Sequence, residues 1–574
     1  KNESQHIYLL ISKITSILIL LFLMIKINSM GYQTTLQNFI VNSAKYQKQP
    51  FLHQPVDGQW HVFSFTDVEQ QARIIAAGLL AQGYQQGDRI GILSKNCAQW
   101  FIADLAIMMV GMVSVPIYAT AGKNTIGYVI EHSKMKAIFV GKLDSLDAVT
   151  ASIPSSVLSI AFPYPTITCS HTWQSWLTEY QPLVTLHQPK LNDCMSIVYT
   201  SGTTGNPKGV VISHLNLTSA GQCTARINKT TRNDKILSYL PLAHITERSV
   251  VENFAYYSGC QIYFVENLAT FIDDLRYASP TLFMSVPRLW AKFQAQVLHQ
   301  IPEKKLNFLL KLPFIGSIVA NRIRTKLGLN SATVFASGSA PISLSLLQWF
   351  QRIGVNIGEG WGMSETSGLS CGNFPFNADY LGTIGQPIAC VEMKLSEQQE
   401  VMIRGEAVFQ EYYLNADLTE VAFTDGWFHT GDKGELTIDG AYKVIGRIKE
   451  EFKTSKGKYV APGPIEQMLC RNSDIEQVCV MGLGMKQPIA LVVLGEGKDR
   501  LDSRIHQDIL ATLTEVNIEV ESHQRLDYIF ICAEPWSCEN ELLTPTLKLK
   551  RDSIEQHYLK LLPEIVEDKI IVQR

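Results

Sequence analysis

Apolar positions change period repeatedly along the first part of the chain. Behind Thr66, with Glu69 three residues on, Val68, Ala72, Ile75 and Leu79 recur at helical spacing, which predicts a capped amphipathic helix. Gly87-Asp88 then leads into a short apolar run, Ile90–Leu93, followed by a second helix over 98–109. Val113–Ile117 and Ala137–Val140 read as further strands. The alternation resumes with strands at Gln261–Val265, Thr281–Val286 and Thr333–Ala336. Short apolar runs interleaved with helices predict an α/β fold, a mostly parallel sheet covered by helices.

Residues 425–440 are rich in turn formers, from Asp425-Gly426 to Asp439-Gly440, and a boundary is expected at 446–450. Beyond it a second α/β pattern begins, with strands at Val478–Met481 and Ala490–Val493. We therefore expect a large N-terminal domain (30–446), a hinge (447–450) and a small mobile C-terminal domain (451–574). No internal repeat or low-complexity tract appears.

Composition narrows the class. At 574 residues the chain predicts more than one domain, and its 46% hydrophobic content is ordinary for a globular protein. A net charge of −3 supplies no electrostatic reason to expect nucleic acid. Eleven dispersed cysteines, without metal-ligand spacing, suggest reduced thiols in a cytoplasmic setting. The apolar stretch Ile7–Ile27 is broken by Lys13 and Lys26, so its uninterrupted part is short for a membrane span. Residues 1–29 are expected to be either an extension upstream of a start at Met30 or an anchor at the cytoplasmic face of a membrane. Met30-Gly31 through Thr35 also fits the myristoylation pattern.

Chemistry concentrates first in Tyr199–Val210, YTSGTTGNPKGV, flanked by strand-like Ser196–Tyr199 and Val210–Ile212. Gly202, Gly205 and Gly209 let backbone N–H groups approach an anion. Thr200, Ser201, Thr203 and Thr204 add hydroxyls, and Lys208 a mobile positive charge. Together they suit a polyphosphate. The spacing is not that of the P-loop, because Lys208 is followed by Gly209 and no Gly-Lys-Ser/Thr occurs.

Five further segments carry polar groups in suggestive company: Ser238–Arg248 (SYLPLAHITER), Ser337–Pro341 (SGSAP), Gly358–Thr366 (GEGWGMSET), Trp427–Asp432 (WFHTGD) and Thr544–Arg551 (TPTLKLKR). Taken singly, each has a plain structural reading. His244 reads as a core histidine, Trp361 as a buried ring in a glycine-rich turn, Lys449 as a solvated charge, and the terminal lysines as surface. The serine-hydrolase elbow fails at Thr366, where glycine is required.

Together, and in this order, the loop and these segments resemble the adenylate-forming enzymes, which include acyl-CoA synthetases, luciferases and nonribosomal peptide adenylation domains. The forms at 238–248, Ser285–Arg288 and 544–551 resemble the long-chain acyl-CoA synthetases in particular. The resemblance spans roughly residues 35–555. It implies ATP, Mg²⁺ and CoA alongside a fatty acid, and the fold of that superfamily. Lys208 and the loop at 200–205 would hold the β- and γ-phosphates. Gly338, Ser339 and Ala340 would border adenine and the acyl pocket, and Gly360, Gly362, Met363 and Ser364 would frame the nucleotide. Trp361 stands where relatives carry tyrosine and would stack on adenine. Glu365 would ligate Mg²⁺, and His244 would line the cleft near the carboxylate. Asp432 would take the ribose hydroxyls, with Arg447 near ribose or phosphates and Lys449 at the hinge. The family spacing Lys-x-x-Arg selects Lys548 over Lys550 as the catalytic lysine, although Leu547 replaces the glycine many relatives have there. A CoA channel is expected along Thr454–Val460. The implied reaction is adenylation of the acid, then transfer to CoA. Two alternatives stay open: an adenylating enzyme with another acceptor, such as a carrier protein, and a non-catalytic, membrane-tethered binder of nucleotide or fatty acid.

Overall fold

A computed structural model describes residues 31–574 apart from 144–145, 201–205, 539, 545–547, 564–567 and 574. The apolar stretch 7–27, the myristoylation pattern at Met30, and Ser201, Gly202, Thr203, Thr204 and Gly205 lie outside the described residues.

Two large sheets build the N-terminal part. One has seven strands in the order His171–Thr172, Leu158–Ala161, Ala137–Val140, Arg89–Leu93, Val113–Ile117, Cys194–Thr200 and Lys208–Ser213. It is parallel except for the last strand, which returns antiparallel as a hairpin with Thr200 opposite Lys208. The other has nine strands, parallel in the middle and antiparallel at both ends. The helix Ala98–Met109 lies between large apolar surfaces and is buried on every side, as expected of a helix that is hydrophobic all round.

The strands at 113–117 and 137–140 and the helix 98–109 fall where periodicity placed them. The helix start differs. A strand that the sequence did not announce, Gln59–Ser64, runs up to the helix Phe65–Ala81, which is capped by Ser64 with Asp67, not by Thr66 with Glu69. The Ser64 side chain accepts from the Asp67 N–H at 3.2 Å, and Asp67 returns the bond to the Ser64 N–H at 2.9 Å. Glu69 instead accepts from Ser43 Oγ and pairs with Arg73 at 2.7 Å.

A third sheet, five-stranded and antiparallel where the pairing is defined, occupies 391–447, including the run 425–440 that the sequence marked as turn-rich. Its strands Trp427–Leu436 and Tyr442–Arg447 form a hairpin that sets Asp432 opposite Arg447. After the short 3₁₀ turn Ile448–Glu450 comes the small C-terminal part, a four-stranded sheet with the helices Pro462–Leu469, Ser503–Glu519 and Arg551–Tyr558. The stretch expected to form a CoA channel is a small hairpin, Phe452–Lys453 against Tyr459–Val460. Among the described residues no helix is long and apolar enough to cross a membrane, and all eleven cysteines are free.

Candidate active site

The Asp432–Arg447 pair is the centre of the cleft. Arg447 Nε lies 2.9 Å from Asp432 Oδ1, and the Trp361 indole N–H donates to Oδ2 at 2.9 Å. The Asp432 carboxylate raises the Arg447 guanidinium above its ordinary range. Each carboxylate oxygen thus holds one protein donor, and each keeps lone-pair capacity for a further one. Trp361 is half-buried in the strand Ile357–Met363, tied by its nitrogen to the expected ribose residue.

Lys548 reaches the same cleft from the C-terminal part. Its backbone is pinned by a reciprocal pair with Thr544: Lys548 N–H donates to Oγ1 at 3.1 Å, and Thr544 N–H donates to the Lys548 carbonyl at 2.8 Å. The side chain stays open to water, but the cleft walls crowd around it. That crowding, and then the charge of Arg447, hold its ammonium below the usual lysine range, while Asp432, Glu365 and Glu450 act in the opposite direction. Lys550 is placed differently, at the N-cap of Arg551–Tyr558, with its N–H on the Leu542 carbonyl. Arg551 is an anchor: it makes paired bonds to Glu466 at 2.6 and 3.0 Å. An Arg288–Glu476 ion pair joins the N-terminal part to the C-terminal part.

His244 caps the turn Ile245–Glu247, its Nδ1 accepting the Thr246 N–H at 3.2 Å. Burial, then Lys548, push its pKa down to about 3. It is a neutral imidazole whose Nε2–H is the side able to donate.

Glu365 is buried in the 3₁₀ turn Ser364–Thr366 that follows Met363. Its Oε1 accepts from the Tyr412 hydroxyl at 2.9 Å, and its backbone carbonyl accepts from Phe409. Lys208 Nζ lies 5.7 Å from the centre of the Tyr412 ring. Tyr412 thereby bridges the lysine of the phosphate loop and the carboxylate, a role no local pattern had marked. The bridge exists because residues 411–413 add to the edge of Lys208–Ser213: Val211 N–H donates to Glu411 O and Tyr413 N–H to Gly209 O. Thr200 and Lys208 stand at the hairpin's mouth. A single hard carboxylate beside cationic groups fits Mg²⁺ shared with phosphate oxygens. Among the described residues no group of three or more metal-ligating side chains converges.

Behind Trp361 opens a narrow apolar cavity of about 90 Å³. Gly338, Ser339, Gly360 and Gly362 line it together with Ile236, Val251, Phe254 and Leu282. Small residues matter here: a Cβ on Gly338 would stand 3.1 Å from the Gly360 carbonyl oxygen, and one on Gly362 would overlap that of Gly368. Ser339 holds a left-handed backbone (φ +65°), and Ala340 beside it is exposed. Lys449 is exposed in the turn after Arg447.

The segment after His244 carries a buried ionic cluster. Arg248, fully buried, pairs with Asp104 at 2.8 Å and Glu252 at 3.4 Å and donates to Ser196 and Ser114. These bonds fix a π-helical stretch, Arg248–Asn253, that presents Val250 and Val251 to the cavity. Glu247 also lines it. Burial pushes its carboxyl up to about 8, against bonds from Ser238, Tyr239 and Asn96. Glu247 showed in the sequence only within the segment 238–248, and Asp104 and Glu252 lie outside every motif.

Two mostly parallel sheets, an antiparallel third and a small C-terminal unit delivering a lysine to a carboxylate-lined cleft define an adenylate-forming enzyme fold. The chain belongs to the AMP-binding enzyme family: residues 39–413 match that family and 451–568 match the AMP-binding enzyme C-terminal domain. It is 29% identical to the long chain acyl-CoA synthetase 7, peroxisomal, of Arabidopsis thaliana, over 88% of this chain and 82% of that one. It is 28% identical to the long-chain-fatty-acid–CoA ligase FadD15 of Mycobacterium tuberculosis, over 88% and 92%. In fold it is similar to the anthranilate CoA ligase AuaEII (TM-score 0.77, 20% identity, 92% and 98% covered). It is also similar to a carboxylate reductase adenylation domain from Mycobacterium chelonae (TM-score 0.79, 20% identity, 92% and 90% covered).

Proposed function

We propose that this protein activates a long-chain fatty acid with ATP, releasing pyrophosphate, and passes the acyl group to CoA. The observation that carries the reading is the grouping of Lys548, Arg447, Asp432 and Glu365 beside Trp361, which is bonded to Asp432 and also lines an apolar cavity. The cavity's lining is mostly apolar, which suits an alkyl chain. The similarity to long-chain synthetases over most of the chain supports the same substrate class.

In the first half-reaction a carboxylate oxygen attacks the α-phosphorus of ATP. The new P–O bond gives acyl-AMP, and the bond to the β-phosphate breaks, so that pyrophosphate leaves with the electron pair. The carboxylate is ionised at neutral pH, and no general base is needed. Lys548 bridges carboxylate and α-phosphate and screens two anions as they approach. The neutral His244 donates from Nε2 toward the carboxylate without adding a charge. Asp432 orients the ribose, and Trp361 supplies a flat face for adenine. Gly338, Ser339, Ala340, Gly360, Gly362, Met363 and Ser364 frame base and acyl group. Lys208, Thr200 and the loop residues 201–205 steady the distal phosphates. Mg²⁺, held by Glu365 with phosphate oxygens, would offset their charge. Positioning of this kind can contribute about 7–11 kcal/mol.

For the second half-reaction we infer that domains 30–446 and 451–574 swing about residues 447–450, withdrawing Lys548. The CoA thiolate then attacks the acyl carbon, and AMP departs. The test is product analysis with ATP, CoA and acids from butyrate to stearate. Long-chain acyl-CoA with pyrophosphate is expected. Pyrophosphate without acyl-CoA would move the acceptor elsewhere, and no pyrophosphate with any acid would refute adenylation.

A further inference from the structure

We propose that the helical crossover at residues 303–326 is a docking surface for an anionic lipid bilayer. Two strands that wall the apolar cavity, Leu282–Ser285 and Val334–Ser337, are adjacent and parallel. The chain joins them through three helices, Pro287–Gln300, Glu303–Lys311 and Ile315–Lys326. The last two meet at a tight corner, where a Cβ on Gly316 would overlap the Leu310 carbonyl. There the chain leaves large apolar side chains in water: Phe314 is 87% exposed, Phe308 63%, Ile318 57% and Ile315 45%. Most exposed apolar residues elsewhere, such as Val184, Leu268 and Ile438, stand apart in sequence and need no explanation. These four fall on one corner. Phe314 reaches its place through a left-handed backbone, φ +63°, which an ordinary loop residue avoids.

The charge around them is one-sided. Residues 287–330 contain eight Lys or Arg and a single acidic residue, Glu303, in a chain whose net charge is −3. Glu303 is engaged by Arg352 at 3.3 Å. On the helix Glu303–Lys311 the residues Lys304, Phe308 and Lys311 recur at helical spacing along one face. On the helix Ile315–Lys326 the corresponding face carries Ile315, Ile318 and Arg322. Lys304, Lys305, Lys311 and Arg322 are all exposed. Aromatic and branched apolar side chains flanked by lysines form an interfacial surface: the rings enter the acyl boundary, and the ammonium groups meet phosphate and carboxylate headgroups. The docking does not depend on the activity proposed above. It would set the wall of the acyl cavity against the phase in which fatty acids dissolve.

The experiment is vesicle co-sedimentation of the full chain without ATP or fatty acid. Phosphatidylcholine vesicles are compared with vesicles containing about 30 mol % phosphatidylserine, an anionic surface of the cytoplasmic type. Wild type is expected to bind the anionic vesicles more tightly. Reversal of Lys304, Lys305 and Lys311 to Glu should lower the partition coefficient at least ~100-fold, taking about fivefold per basic residue. Phe308→Ser with Phe314→Ser and Ile318→Ser should weaken binding to both vesicles. These positions are exposed, so thermal unfolding should match wild type. Hydrogen exchange should show protection of 303–326 when anionic vesicles are added. Wild-type failure to bind, unchanged binding of both variants, or unchanged exchange across 303–326 overturns the proposal. So does self-association of wild type that the variants lose without vesicles, which would assign the face to a second copy. Pyrophosphate release from a soluble acid, measured on the same variants, reports the proposed reaction separately.

Discussion

Replacing Lys548 with alanine removes an ammonium that the C-terminal part brings within the influence of Asp432, Arg447 and Glu365. Loss of a single donor aimed at developing charge costs about 3 kcal/mol, or roughly 10²-fold in rate. The loss should fall on one half-reaction. Fatty-acid-dependent exchange of pyrophosphate into ATP should drop by roughly that factor, while thioester formation from supplied acyl-AMP should hold near wild type. A pH profile adds a second readout. The bridging form is the protonated amine, and crowding together with Arg447 lowers its pKa. Adenylation should therefore fail as pH rises through a value below the ordinary lysine range. Arg447→Gln removes one cause of the depression and should move that alkaline limb upward. Equal loss of both half-reactions in Lys548→Ala, or survival of the same limb in that variant, would refute the assignment.

Three further outcomes follow from the buried groups and the cavity. Glu247 titrates near 8 when folded, against about 4.5 for its unreacted reference; its contribution to stability is complete below the lower value and is lost as pH rises through the upper. Between them wild-type stability should fall relative to Glu247→Gln by up to about 1.4 kcal/mol per pH unit, and parallel urea-unfolding curves across that window would contradict this. Arg248→Ala strands Asp104 and Glu252 in the interior and should cost about 3–5 kcal/mol in urea unfolding; a loss under about 1 kcal/mol would mean that the cluster is not a buried charge pair. Val251→Phe fills part of the cavity and should shift preference to shorter acids. Each methylene denied burial costs about 0.8 kcal/mol, roughly fourfold in kcat/KM, and an unchanged chain-length profile would place the acyl group elsewhere.

Much of this molecule is legible without coordinates, and the reason is local. The strands at 113–117 and 137–140 and the helix 98–109 announce themselves because burial imposes a period on consecutive residues. The glycine- and hydroxyl-rich run before Lys208 also advertises an anion site in its own composition. Choices between near neighbours were not legible. Ser64 and Thr66 each head a capping pattern, and the reach of the preceding strand decided for Ser64. Lys548 and Lys550 differ by two positions, and only the family spacing separated them; in the fold Thr544 fixes the backbone of Lys548, while Lys550 sits at a helix N-cap. The antiparallel sheet at 391–447 was hidden, since its ladders are bulged and its longest strand, Trp427–Leu436, alternates in burial but not in residue type. Its register makes neighbours of Asp432 and Arg447. Tyr412 acquires its place only because 411–413 dock on a strand two hundred residues earlier in the chain. Period and composition report what a residue's neighbours in sequence require. Which distant groups share a cleft, and whether Phe314 faces water or core, depends on how whole elements pack, and no window along the chain contains that information.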